Sequence, residues 1–198
     1  YLFKEHLGLI KAHNNYDIFD PESKEMILHC REKNLNIFYK IVRIFLKDYK
    51  RMTPFEIEIK GLTGKKILKV KKGVSFILSK IQVYDENDNI VGVFKQRLFP
   101  FGNYFDMLDK SENLVCKLKG NFIGWNFKFL KEDSEVGLVT KKWAGIGKEM
   151  FTSADNYILE IKDKVEKDSP LRLLILAAVI CIDTVSYTHL RAHETFTD

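Results

Sequence analysis

Histidines, cysteines and clustered carboxylates are the residues through which this chain could do chemistry. His6, His13 and His29 stand apart, none with a serine or cysteine nucleophile at a motif spacing, and no HExxH, GxSxG, Walker loop or CxxC occurs. Cys30, Cys116 and Cys181 are odd in number, widely separated and set among apolar residues, so they read as buried free thiols of a reducing compartment. His189 and His193 are four apart, the spacing of a metal pair on a helix. They fall, however, in Val185 to Asp198, which reads like the conceptual translation of a transposase sequencing adapter and is expected to lie outside the fold. The domain is therefore set at residues 1–184, no catalytic residue is assigned, and the expectation is a protein that is not an enzyme.

Charge points to binding. The formal net charge is +5, which suits an anionic partner such as lipid headgroups or nucleic acid without choosing between them. Two basic groups stand out. Asn36 to Asp48 predicts an amphipathic helix with Ile37, Phe38, Ile41, Ile44 and Phe45 on one face and Lys40, Arg43 and Lys47 on the other, followed by Lys50 and Arg51. Lys65, Lys66, Lys69, Lys71 and Lys72 cluster in a predicted hairpin. Such a helix could lie on an anionic membrane, where each basic residue near the surface contributes about 1 kcal/mol. The expectation adopted for it is the ordinary one, packing on the protein with the apolar face inward and the polar face solvated.

The elements that must position these residues are mostly strands. With 198 residues, 45% hydrophobic, the chain suits one domain with a sizeable core. Five units of strand, polar turn and strand recur, spanning Tyr16–Cys30, Phe55–Val70, Lys80–Phe94, Tyr104–Leu118 and Asn126–Val139. Phe55, Ile57 and Ile59 alternate with Glu56, Glu58 and Lys60, the period of a sheet with one dry face. Adding Leu2–Glu5 and Tyr157–Lys162 gives about twelve antiparallel strands, enough to favour a closed barrel, which also removes exposed edges. A barrel that wide leaves a lumen to fill. Pro170 to Thr184 is apolar on all sides, with Leu171, Leu173, Leu174, Leu176, Val179, Ile180 and Ile182, and Ser169-Pro170 is a good helix start. The run is shorter than the roughly 20 residues of a membrane span, so a buried core helix is expected and a transmembrane one is not. Trp143 to Met150 carries Gly145 and Gly147 without the strand-turn-helix setting of a dinucleotide site and reads as a plain turn.

Several stretches together resemble a known family. Thr152-Ser-Ala-Asp-Asn-Tyr157, the helix ending Ala177-Ala-Val-Ile-Cys-Ile-Asp183, Asn15-Tyr-Asp17 with Pro21–Cys30, Arg51-Met-Thr-Pro-Phe55 and Lys141-Lys-Trp143 are similar to phospholipid scramblase-like proteins. The group includes the LURP-one-related proteins and shares the tubby C-terminal-like fold. The resemblance implies a twelve-stranded barrel around a hydrophobic C-terminal helix. It also implies contact with anionic phospholipid, a role in scrambling or membrane-linked regulation, and a cytoplasmic setting, peripheral at the inner face of the membrane. In scramblases the acidic segment before the last helix is a proposed calcium site, which here would use Asp155, Glu160, Asp163 and Glu166. Ser153 replaces an aspartate of that pattern, and Lys162 and Lys164 bring positive charge, so no cofactor is expected and calcium is the one candidate. The acyl-bearing cysteine cluster of animal scramblases has no counterpart. The alternative function is a soluble, non-enzymatic scaffold for protein or nucleic acid.

Overall fold

A computed structural model describes residues 1–5, 14–33, 35–45, 52–75, 80–99, 102–121, 125–141 and 156–186. Alternation of apolar and charged residues builds its sheet. In β4 (Phe55–Gly61) the side chains of Phe55, Ile57 and Ile59 are buried while Glu56, Glu58 and Lys60 face outward, as a period of two requires. The same logic sets β1 (Leu2–Glu5), β2 (Tyr16–Phe19), β3 (Met26–Glu32) and β5 (Lys66–Lys72). It continues through β6 (Lys80–Tyr84), β7 (Ile90–Phe99), β8 (Gly102–Asp109) and β9 (Leu114–Asn121). The series ends with β10 (Asn126–Lys131), β11 (Ser134–Thr140) and β12 (Asn156–Ile161).

Among the described residues these twelve strands form one closed antiparallel barrel in which each pairs with its neighbours in sequence and β1 closes on β12. Closure is made by Leu2 opposite Ile158 and Phe3 opposite Tyr157. Short turns set the registers. Asp85 Oδ1 accepts from the backbone N–H groups of Asn87 and Asn89 at 2.8 and 2.9 Å, and Asp109 does the same for Ser111 and Asn113. These Asx turns are the structural use of the Asp and Asn residues between hairpin arms.

The lumen is filled by α2 (Pro170–Ser186), which begins where the sequence indicates: the Ser169 hydroxyl accepts from Arg172 N–H, and Pro170 occupies the first helical position. Leu174, Leu176, Val179, Ile180 and Ile182 are buried, and Leu171 and Leu173 pack against the same core from its edge. Gly92 of β7 lets the wall come close. A Cβ there would stand 2.2 Å from the carbonyl oxygen of Leu108 and 3.0 Å from a Leu174 methyl. At 17 residues, α2 is about 25 Å long at 1.5 Å per residue. No helix among the described residues is long and apolar enough to cross a membrane. The helix runs to Ser186 and so takes in Val185 and Ser186, the first two residues of the adapter-like tail expected to lie outside the fold; the rest of that tail, residues 187–198 with His189 and His193, lies outside the described residues.

The second helix, α1 (Ile37–Phe45), is capped by Asn36, whose Oδ1 accepts from Phe38 N–H at 3.0 Å. Its orientation reverses the expectation. Ile37, Phe38, Ile41, Ile44 and Phe45 are 73, 63, 50, 36 and 77% exposed, whereas the buried residue of the helix is Arg43. The apolar face looks outward and the polar face looks into the protein. Fully burying one such side chain contributes about 1.5–3 kcal/mol, so leaving five outside forgoes a large stabilisation.

Candidate functional site

The inverted helix α1 and the polar cluster beneath it form the candidate site. Glu32 ends β3 on the same inward face as Cys30, so its carboxylate is carried under α1 by strand alternation alone. Arg43 reaches that carboxylate: Nη1 lies 2.9 Å from Glu32 Oε1, with side chains 1% and 0% exposed. The remaining guanidinium donors are also engaged. Nε donates to Thr53 Oγ1 at 2.8 Å and Nη2 donates to the carbonyl of Pro54 at 2.8 Å. Arg43 Nη1 donates its hydrogen bond to Glu32 Oε2 at 2.9 Å, the same oxygen that accepts from the Asn14 backbone N–H and Nδ2 at 2.7 and 3.1 Å. Buried charge is tolerable only with this degree of pairing.

Lys72 joins the cluster. It follows Leu68 and Val70 on the inward face of β5, and its Nζ donates to the Thr53 carbonyl at 3.1 Å. Burial, with Arg43 nearby, pulls its pKa down from 10.5 to about 8, while Cys181 acts weakly the other way. The three cysteines are free and buried, and burial pushes the thiols up, Cys116 to about 12.

Arg43 and Lys72 are therefore corrected: both were expected among the lipid-facing bases, and both point into the protein, because helix orientation in one case and strand parity in the other put them there. Lys40 is half-buried on α1, and Lys47, Lys50 and Arg51 lie outside the described residues. The hairpin lysines are at the surface but matched with carboxylates. Lys65 pairs with Glu86 at 2.8 Å, Lys66 and Lys69 share Asp88 at 2.8 and 2.7 Å, and Lys71 is 3.9 Å from Glu56. Hydrogen bonds from Lys66 and Lys69 hold the Asp88 carboxyl down at about 2. Sequence reasoning missed Glu32, Thr53 and Asn14. The signal for Glu32 and Lys72 was present, since both continue an inward series.

Asp155 of the acidic segment lies outside the described residues, as does the separate Trp143–Met150 connection. Glu160 is paired with Lys162, while Asp163 and Glu166 are exposed in the connection to α2. Among the described residues no group of three His, Cys, Asp or Glu side chains could hold a metal ion. His29 sits on the outward side of β3, half-buried, opposite Lys60. At the other end of β4 from α1, a cleft of about 590 Å³ is lined by Lys65, Glu86, Lys167, Asp168, Arg172 and Leu176 among others. Its charges are mixed, and Arg172 is engaged with the Val165 carbonyl and Tyr1 hydroxyl.

A closed twelve-stranded antiparallel barrel threaded by an apolar C-terminal helix, with a buried polar cluster under α1, is the architecture these residues define. The chain belongs to the Scramblase family, whose model matches residues 5–189. It is 24% identical over 145 residues to phospholipid scramblase 1 of Mus musculus, covering 66% of this chain and 44% of that protein. Against phospholipid scramblase 1 of Rattus norvegicus the identity is 24% over 145 residues, covering 66% and 43%. Phospholipid scramblase family member 5 of Homo sapiens is 21% identical over 120 residues, covering 57% and 44%. The chain thus spans less than half the length of these relatives. No solved structure matches it significantly.

Proposed function

We propose that this protein acts at the surface of anionic phospholipid membranes, docking through the exposed apolar face of α1. The observation that carries the reading is the inversion of that helix: five large apolar side chains face solvent on one stripe. Contiguous exposed apolar surface marks an interaction site, and a bilayer interface accepts an amphipathic helix lying in its plane. Kinship with proteins named phospholipid scramblases supports lipid over a protein or nucleic-acid partner. Lys40 on the helix and Lys47, Lys50 and Arg51 just after it in sequence would meet phosphate headgroups. Lys65, Lys66, Lys69 and Lys71 add less, because Glu86, Asp88 and Glu56 already answer their charge.

On this reading the protein is non-enzymatic and peripheral at the inner face of the membrane, where free thiols are at home. A part in phospholipid scrambling or membrane-linked regulation is its proposed biological role. Co-sedimentation with vesicles containing phosphatidylserine tests the docking step: binding at low salt is expected, and recovery of the protein in the supernatant overturns it. A lipid-flip assay in the same vesicles tests scrambling itself. Calcium titration during sedimentation tests a role for the acidic segment.

A further inference from the structure

We infer that the buried Glu32–Arg43 pair is the positioning device that holds α1 with its apolar face outward, an inference that rests on the docking reading above. An amphipathic helix beside a protein core should turn its apolar stripe inward, and α1 does the opposite. Something on its inner face must outweigh that preference. Of its nine residues the buried one is Arg43, and its guanidinium meets three oxygens on three different residues: Glu32 of β3, Thr53, and Pro54 just before β4.

The counter-charge is also held by groups outside the helix. Glu32 N–H donates to Asn15 Oδ1 at 3.0 Å, and its carboxylate takes two hydrogen bonds from Asn14, so the strand presents a fixed, fully buried anion. Rolling α1 to bury Phe38 and Phe45 would lift Arg43 out and leave that anion uncompensated, which is the costly outcome for a buried ion. Arginine suits the task because its planar fork makes several directed bonds at once, which a lysine cannot reproduce. Remote from the apolar stripe, Arg43 thus acts through the helix it anchors. The same anchor means that α1 meets the bilayer as a preformed wedge, with no rearrangement to complete on contact.

The test uses the full chain with an Ile37→Cys reporter on the apolar face, read by the rate of maleimide labelling; Cys30, Cys116 and Cys181 are buried and supply a slow background. With the pair intact, Cys at this position should label quickly in solution and slowly with phosphatidylserine vesicles. The double change Glu32→Gln with Arg43→Met removes both charges at similar volume, a replacement that buried ion pairs often tolerate. In that background labelling without vesicles should fall by about tenfold, and vesicle binding by about as much, as the population moves to the inward-facing helix. Cooperative unfolding should persist. A folded double variant that labels and binds like the parent overturns the inference. If the double variant does not fold, Arg43→Lys serves in its place: slower labelling than the parent supports the device, and an unchanged rate overturns it. Should vesicles fail to protect the reporter while labelling still responds to Glu32 and Arg43, the positioning role stands and the membrane reading falls.

Discussion

Arg43 Nη1 of α1 lies 2.9 Å from Glu32 Oε1 of β3, with neither side chain more than 1% exposed. An ion pair so enclosed is asymmetric in its response to mutation. Truncating one partner, as in Glu32→Ala or Arg43→Ala, leaves a buried charge alone and should cost about 3–5 kcal/mol in urea denaturation. The paired neutral change should cost far less, and that non-additivity, read as a double-mutant cycle, is the expected result.

Phe38 and Phe45 should matter to binding and not to stability. Both are largely exposed, so Phe38→Asp and Phe45→Asp should shift unfolding free energy by no more than about 0.5 kcal/mol. Together they should abolish sedimentation with anionic vesicles. Retained binding by the doubly substituted protein would show that another surface carries the contact.

Lys72 gives a pH signature of known sign. Its folded pKa of about 8 lies below the 10.5 of the unfolded chain, so between these values the unfolded state binds more protons and stability rises with pH through this group. Below pH 8 the charged amine stays buried and the penalty is largest, on the order of 3 kcal/mol. The three buried thiols act in the opposite sense above pH 9, since the unfolded chain then loses protons that the folded one keeps. The clean measurement is therefore the difference between the parent and Lys72→Met. The variant should be the more stable at pH 7, with the gap closing from pH 8 to 10.5.

Gly92 tests the fit of the helix in the barrel. Its missing Cβ leaves room for the Leu108 carbonyl, a backbone atom that cannot step aside cheaply, and for Leu174 of α2. Gly92→Ala should destabilise by about 1–3 kcal/mol, the usual range for overpacking a dense core, as measured by chemical denaturation. Pairing it with Leu174→Ala should recover only the part of the loss that comes from the side-chain contact.

Most of the barrel was legible because its cause is local. A period of two at Phe55, Ile57 and Ile59, turn residues at Asp85–Asn89 and Asp109–Asn113, and an all-apolar run after Ser169-Pro170 each require nothing beyond neighbouring residues to read. The candidate site was legible only in part. Parity marks Glu32 and Lys72 as inward, yet a charged residue at a strand end reads as surface until its partner is known. The Arg43 side chain carries no such signal, since its partners Glu32, Thr53 and Pro54 are 10 and 11 residues away and meet it only through the fold.

By itself, then, the sequence determined the strand count, the hairpin order and the identity of the central helix, because backbone alternation and helix capping are short-range effects. Only the tertiary structure decided which way α1 faces. A helix with one apolar and one basic stripe has two ways to sit, and the periodicity of its residues is the same in both. The choice was made by a buried carboxylate on another element, whose demand for a counter-charge outweighs the ordinary preference of Phe38 and Phe45 for the interior.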